Sequence, residues 1–345
     1  MQPSLAAPDA IQHVVLSVLP VIVFLCGLCL LDSYRLVRPA SVSGSVVIGA
    51  LVALGAAALV RALVTRTGLT QAVYSRAAGP VLEESLKFCC LAVLVASRRI
   101  GFMVDAAIHA FALGAGFAVV ENLLYLSAVD APLAISALRG FGTAVMHGGT
   151  AAIAGIVAMR FAEERGPESR TGLAAGFLSA VAMHMGYNTA AAYPAAAALG
   201  SAVIVPVAIV SFFRQSERTL RRWLGVGLDT DAELLEMIRD GKMYDSRIGA
   251  YLSSLKDRFP AEVVADMFCL LRVRIELSIR AKGVLLMQRS GFVPPRDPEL
   301  PEKFRELDHL TKAIGSAGML AMLPLLSWRR RDLWEMNMLA ARRER

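Results

Sequence analysis

The chain has 345 residues, 56% of them hydrophobic, with a mean hydropathy of +0.53 and a formal net charge of +7. This composition is too apolar for an ordinary soluble domain. No basic motif with interleaved aromatic residues accompanies the positive charge, so nucleic acid is excluded as an expected partner.

The first 213 residues are a series of long apolar runs, each near the roughly 20 residues that a helix needs to cross a bilayer. Residues 1–12 contain no Lys or Arg, so the first run is expected to be a retained span and not a cleavable signal peptide. The seven runs are His13–Leu31, Val46–Val64, Gly79–Ser97, Met103–Leu126, Gly140–Phe161, Gly172–Ala191 and Ala195–Phe213. The sequence therefore predicts an all-α fold, a polytopic membrane helix bundle of about seven transmembrane helices.

Residues 214–345 are charged throughout, with 24 Lys and Arg against 19 Asp and Glu. Gly241, Pro260 and Gly291 stand where helices should begin or end, so this region is predicted to be a helical domain. The apolar run Ala313–Leu326 is short for an eighth span and is expected to be a buried or surface-lying helix. The basic surplus suits the anionic cytoplasmic face of a membrane. We therefore expect a cytoplasmic tail that contacts the inner leaflet or a soluble partner.

Basic residues in the connections indicate the orientation, because cytoplasmic loops are enriched in Lys and Arg. With the amino terminus outside, the cytoplasmic connections contain Arg35, Arg38, Arg98, Arg99, Arg160, Arg165 and Arg170. Arg61, Arg66 and Arg76 surround an outer connection and oppose this orientation, but the reverse one would place more basic residues outside. We therefore predict an outside amino terminus and a cytoplasmic carboxyl terminus.

The third span begins with a charged cluster, Glu83, Glu84 and Lys87. The spacings of four and three residues allow both carboxylates to reach the ammonium group on a helix. One interpretation is a well-capped helix start, which Pro80 would suit. The apolar part after Lys87 is too short to cross a bilayer by itself, however, so a spanning segment places the cluster inside the membrane edge. Ionisable groups there are by default functional.

The next three spans also carry polar residues that apolar packing does not require. They are Glu121, Asn122 and Tyr125 in the fourth span, Arg139 and His147 at the fifth, and His184 and Asn188 in the sixth. Because the spans alternate in direction, all four groups fall in the outer half of the membrane, about 6–12 Å from the helix ends. This agreement predicts one site built from facing side chains of a bundle. Three glutamates against Lys87 leave a negative excess, which protonation, Arg139 or a bound cation must offset.

The ordered set E-E-x-x-K, F-x-x-x-E-N-x-x-Y, a basic residue followed by His, and H-x-x-x-N resembles the PrsW family of intramembrane proteases. The resemblance covers residues 75–195, and that family is distantly related to the Abi and CAAX-type prenyl endopeptidases. It implies cleavage of a membrane-anchored protein, for example an anti-sigma factor, on the outer side of a bacterial cytoplasmic membrane. The tail, and to a lesser degree the first two spans, lie outside the resemblance.

The expected reaction is hydrolysis of a peptide bond by an activated water. Glu83 or Glu84 is the candidate general base. The other candidate catalytic residues are His147 and His184, which would orient the water or protonate the leaving amine, Asn188, which would donate to the oxyanion, and Glu121, which would share the water or hold a histidine. Lys87, Asn122, Tyr125 and Arg139 are expected to support these groups.

A metal-dependent site would use His147, His184 and Glu121, because two histidines and a carboxylate are an accepted ligand set for zinc. A divalent cation would also balance the excess negative charge of the three glutamates. The H-E-x-x-H signature of many zinc proteases is absent, however. The metal-free and metal-dependent alternatives both stay open.

Two other classes of function are compatible with a polar membrane bundle. A proton-coupled transporter would use the buried acids as a proton relay, although no inverted repeat supports it. A membrane scaffold or signalling protein would act through its helical tail. The substitution Glu84→Ala separates these readings, since a scaffold should keep its binding while a protease should lose all turnover.

Overall fold

We describe a computed structural model of the chain, which places residues 7–68, 70–97, 100–129, 132–165, 170–190, 193–326 and 330–343. Within these ranges the chain is helical and contains no β-strand, which confirms the all-α prediction. It divides into two compact units, Met1–Ser216 and Glu217–Arg345. Arg98 and Arg99, which belong to a predicted cytoplasmic connection, lie outside the described residues.

In the part of the chain that the structure describes, the first unit consists of helices interrupted by two π-helical turns, which we name π1 and π2. In chain order the elements are α1 (Ala7–Leu30), α2 (Pro39–Thr67), α3 (Gln71–Val73), π1 (Tyr74–Ala78), α4 (Gly79–Ala96), α5 (Met103–Ala128), α6 (Leu133–Thr143), π2 (Ala144–Gly148), α7 (Gly149–Arg165), α8 (Arg170–Ala190) and the start of α9 (Pro194–Arg239). Helix α2 shows how the sequence sets these boundaries. Pro39 suits its first turn, and Gly68 ends it in the left-handed conformation with φ of 63°.

Five helical stretches among the described residues are long and apolar enough to cross a membrane. They are Ile11–Leu30, Pro39–Arg66, Met103–Ala128, Leu133–Phe161 and Ala196–Arg239. The third and sixth predicted spans form α4 and α8, which are helical but do not belong to these five. In α4 the reason is chemical, because three charged residues stand in a helix of only 18 residues. The two exceptions are thus helices that carry predicted site residues.

Helix α5 is the centre of the first unit. Its residues from Met103 to Ala118 are almost all buried, and α1, α2 and α7 pack around it. The approach to α2 requires small residues, because a Cβ on Gly116 would lie 1.9 Å from the Val46 carbonyl oxygen. Helix α8 packs against both α4 and α7. This packing brings the polar residues of neighbouring helices together.

The second unit contains the end of α9, α10 (Arg247–Ser254), α11 (Ala261–Arg289), α12 (Leu300–Met322) and α13 (Arg330–Arg343). Helix α11 packs against α12 and α13 and buries Met267, Leu270 and Val273. Gly241 and Gly291 follow α9 and α11 with φ of 74° and 81°, as expected for residues that end helices.

The apolar run Ala313–Leu326 belongs mostly to α12 and packs on one side only. Ile314 and Met322 are buried in the second unit, whereas Leu320 is exposed. Gly315 interrupts the regular helix with φ of 69°. The run is therefore a half-buried helical segment of the tail.

Candidate active site

Glu84 and Lys87 form a buried ion pair near the start of α4. The Lys87 Nζ atom lies 2.5 Å from Glu84 Oε1, and only 2% of each side chain is exposed. The spacing of three residues puts both side chains on one face of the helix. Each charge is therefore neutralised by the other inside the bundle, where an isolated charge would be costly.

Helix α8 contributes His184, whose two ring nitrogens face the two glutamates of α4. Nδ1 lies 2.8 Å from Glu84 Oε1, and Nε2 lies 3.9 Å from Glu83 Oε2. Because an ionised carboxylate can only accept, Nδ1 carries the hydrogen when the ring is neutral. The Nε2 lone pair then faces the Glu83 carboxylate across a gap that a proton, a water molecule or a cation can fill.

The turn π2 contributes His147, which is fully buried beside the ion pair of α4. Its Nδ1 atom lies 3.1 Å from Lys87 Nζ, and its Nε2 atom contacts Glu121 Oε2. The His147 and His184 rings pack edge to face with centroids 5.0 Å apart. The structure thus brings both predicted histidines together with all three predicted glutamates.

The backbone around His147 is held by contacts that only glycine permits. A Cβ on Gly114 of α5 would lie 2.1 Å from the His147 carbonyl oxygen, and a Cβ on Gly148 would lie 2.6 Å from the Phe111 ring. The π-helical geometry departs from the regular helix at this residue, and such turns are frequent at functional sites. The close approach fixes His147 relative to α5.

Arg139 of α6 holds Glu121 at the edge of the site. The Arg139 Nη2 atom lies 2.8 Å from one oxygen of Glu121, whose other oxygen contacts His147. The Arg139 guanidinium also stacks over the Tyr125 ring, 4.1 Å from its centroid. Arg139 and Tyr125 therefore lie in the same network as Glu121.

The two asparagines of the predicted set bind to the framework of the bundle. Asn122 donates to the Ser17 carbonyl oxygen of α1 at 3.0 Å and accepts from the Thr143 hydroxyl of α6 at 2.9 Å. Asn188 donates to the Ser75 carbonyl oxygen of π1 at 2.8 Å. Asn122 thus joins three helices, and Asn188 joins α8 to the turn in front of Glu83.

The charges of the site balance except at Glu83. Lys87 neutralises Glu84, and Arg139 neutralises Glu121. Among the described residues, the ion-pair partner of Glu83 is His184, so one negative charge remains when both histidines are neutral. A proton or a bound cation near Glu83 would complete the balance.

The residues present fit a divalent metal ion. One ligand atom from each of Glu83, His147 and His184 lies within 4.8 Å of the others, and two histidines with a carboxylate are a common zinc set. Glu84 at His184 Nδ1 supplies the carboxylate contact that usually orients a ligating imidazole. The group differs from the predicted one in its carboxylate, which is Glu83 in place of Glu121. Both ring nitrogens of His147 contact Lys87 and Glu121, so His147 would exchange one of these contacts for the metal.

Sequence reasoning does not find Tyr74, which lies in π1 with its ring against Gly79. In a regular helix Tyr74 would share a face with Ala78 at four-residue spacing. The π turn adds one residue and moves Gly79 onto that face. The regular 3.6-residue spacing assumed for a helix gives no indication that Gly79, and not Ala78, lies beside Tyr74.

A family model described as PrsW family intramembrane metalloprotease matches residues 38–213. The match includes the glutamates and histidines of the site, and it extends beyond the 75–195 range over which the sequence motifs show the resemblance. No curated protein and no solved structure matches the chain.

Proposed function

The chain belongs to the PrsW family of intramembrane metalloproteases, and on this premise we propose that it is an endopeptidase that cuts a membrane-anchored protein. The observation that carries the proposal is the arrangement of Glu83 and His184, whose carboxylate oxygen and ring nitrogen face each other 3.9 Å apart. Lys87 and Arg139 neutralise the other two glutamates. The space beside Glu83 is therefore where a water molecule and a peptide carbonyl would bind.

Glu83 is the proposed general base. It is the glutamate of the site that lacks a Lys or Arg ion pair among the described residues, so its carboxylate is the most available to accept a proton from the attacking water. A positioned general base contributes about 10²–10⁴-fold to the rate of such a reaction. The proton would then pass to the amine that leaves the cleaved bond.

Glu84 and Lys87 are the proposed positioning residues for His184. Glu84 Oε1 accepts from both Lys87 Nζ and His184 Nδ1, so the hydrogen stays on Nδ1 and the Nε2 atom stays available toward Glu83. With this tautomer fixed and no metal bound at Nε2, His184 can orient the water and carry its proton toward the leaving amine. Two charged side chains thereby set the direction of one imidazole.

Glu83, His147 and His184 are also the residues that would hold a divalent metal such as zinc. When bound, the metal would supply Lewis-acid polarisation of the scissile carbonyl. Glu83 has two carboxylate oxygens, so one can bind while the other accepts a proton. Glu121 and Arg139 keep the His147 ring in place through the other side of the network.

The proposed substrate is a single-span or otherwise anchored protein, such as an anti-sigma factor, cut near the outer face of a bacterial cytoplasmic membrane. Glu83 lies four residues after the start of α4, and His184 lies six residues before the end of α8. At about 1.5 Å per residue, water reaches this depth without crossing the membrane centre. The scissile bond must leave its helical hydrogen bonds, so Gly, Pro or polar residues near that boundary should favour cleavage.

The test uses purified full-length protein and a panel of quenched-fluorescent peptides, each with one apolar span of about 20 residues and a varied boundary segment. The peptide that the wild type cuts fastest becomes the reporter peptide. Glu83→Gln keeps the size of the side chain and should lower turnover of the reporter peptide by about 10²-fold or more. The matched control is Glu233→Gln, an exposed glutamate of α9, which should leave turnover unchanged.

Metal content is measured on the same preparations by elemental analysis. About one divalent ion per chain is expected for the wild type, with loss from His184→Ala, because one of three proposed ligands is removed. Normal cleavage of the reporter peptide by Glu83→Gln and by His184→Ala would refute the catalytic assignment. Absence of cleavage of every peptide in the panel by the wild type would instead favour a transporter or a scaffold.

A further inference from the structure

The turn π1 lies directly in front of the site and shifts the register of the helix that carries Glu83. In π1 the Gly79 backbone N–H donates to the Tyr74 carbonyl oxygen, a span of five residues instead of four. Glu83 then follows Gly79 by one regular turn. Tyr74, Gly79 and Glu83 therefore lie in line along one face.

The side chain of Tyr74 lies along this face. A Cβ on Gly79 would be 3.0 Å from Tyr74 Cζ and 3.1 Å from its hydroxyl oxygen, so glycine makes room for the ring. Burial, and then the charges of Glu83 and Glu121, raise the pKa of Tyr74 to about 12. The hydroxyl therefore keeps its proton at neutral pH and stays a hydrogen-bond donor.

This donor is available for a ligand. Among the described residues, the Tyr74 hydroxyl has no hydrogen-bond partner, while Glu84, Glu121, Lys87 and Arg139 are engaged with one another or with the histidines. A donor beside the general base is what a developing oxyanion requires.

The turn π1 leaves one backbone carbonyl without a partner in its own helix. At five-residue spacing the Ser75 oxygen would accept from residue 80, but that residue is Pro80, which has no N–H. The Gly79 N–H is already directed to Tyr74. Asn188, one turn beyond His184 in α8, supplies the missing donor, and its side-chain nitrogen lies 2.8 Å from the Ser75 oxygen. The side-chain amide of Asn188 thus stabilises the π register by satisfying a carbonyl that the register leaves open.

We propose that the Tyr74 hydroxyl donates to the carbonyl oxygen of the scissile peptide bond, and that Asn188 positions Tyr74 by holding π1. This inference rests on the proposed peptidase function. It assigns the oxyanion contact to a tyrosine that the sequence motifs do not contain. Asn188, for which the motif suggests that same contact, acts through the backbone of π1 instead.

The first test measures kcat and KM on the reporter peptide for Tyr74→Phe, which removes only the hydroxyl. Loss of one oxyanion donor should lower kcat by about 10²-fold with little change in KM, because the contact strengthens in the transition state. The control is Tyr193→Phe, in which the altered side chain is 75% exposed in front of α9. Unchanged kcat for Tyr74→Phe would overturn the assignment.

The second test separates a positioning role for Asn188 from direct catalysis. Asn188→Ala should lower kcat. Adding Pro80→Ala to Asn188→Ala should raise kcat about tenfold or more above that of Asn188→Ala. The single variant Pro80→Ala is the reference for the double variant. The recovery is expected because alanine at position 80 restores an N–H that can donate to the Ser75 oxygen. A double variant as slow as Asn188→Ala refutes the positioning role. Absence of cleavage by the wild type, relative to a protein-free control, would refute the peptidase function itself, whereas wild-type cleavage with an unimpaired Tyr74→Phe or an unrescued double variant would refute only the roles of Tyr74 and Asn188.

Discussion

Replacing Lys87 with methionine tests whether the charges of the site are buried and paired as the structure shows. Methionine matches the lysine stem from Cβ to Cε and removes the ammonium group. In the wild type this group lies 2.5 Å from Glu84 Oε1 and 3.1 Å from His147 Nδ1. The substitution leaves Glu84, whose side chain is only 2% exposed, without its cation.

Removing one member of a buried ion pair typically costs about 3–5 kcal/mol, because the remaining charge is desolvated and unpaired. We expect Lys87→Met to fall in this range. The double variant Glu84→Gln/Lys87→Met carries no unpaired charge and should regain most of the lost stability. It should stay catalytically impaired, because glutamine can present its NH₂ group to His184 and no longer imposes one tautomer.

The measurement is equilibrium unfolding of purified protein by SDS titration, followed by circular dichroism in the far ultraviolet. Arg61→Met, an exposed cation of α2 in the same unit, is the matched control and should change stability by less than about 1 kcal/mol. Wild-type stability of Lys87→Met would refute the reasoning, since water would then reach Glu84. A double variant no more stable than Lys87→Met would show that loss of the hydrogen bonds of the Lys87 ammonium group, and not an unpaired charge on Glu84, sets the cost.

The remaining predictions concern the tail. Protease treatment of intact cells should leave the tail uncut, because its basic surplus indicates the cytoplasmic face; digestion from outside would overturn the proposed orientation. Burial raises the pKa of Glu335 from 4.5 to about 7, although Lys282 Nζ lies 3.2 Å away. The folded tail therefore binds this proton more tightly than the unfolded tail. The stability of the tail should fall as the pH rises from 4.5 to 7, by roughly 3 kcal/mol in total. All three tryptophans lie after residue 216, so their fluorescence reports tail unfolding. Glu335→Gln should make the stability of the tail depend less on pH between 4.5 and 7. An unchanged pH dependence would contradict the burial argument.

The sequence by itself determines features that depend on neighbours within one helix. The apolar runs indicate a helical membrane bundle because the length of a span follows from a constant rise per residue. The spacings of four and three residues predict that Lys87 can pair with Glu83 or Glu84, and the structure forms the pair with Glu84. The common depth expected for Glu83, Glu121, His147 and His184 follows from counting residues along alternating spans.

Only the tertiary structure decides which of these groups face one another. His184 and Glu84 are 100 positions apart in the chain, and no periodicity indicates that Glu83, and not Glu121, completes a group with the two histidines. Position along a helix sets the depth of a side chain, but the rotation of that helix against its neighbours sets its partners. That rotation follows from close backbone contacts such as Gly114 with His147. The register of Tyr74 likewise depends on a π turn stabilised by Asn188 from another helix, and such long-range contacts leave no trace in local spacing.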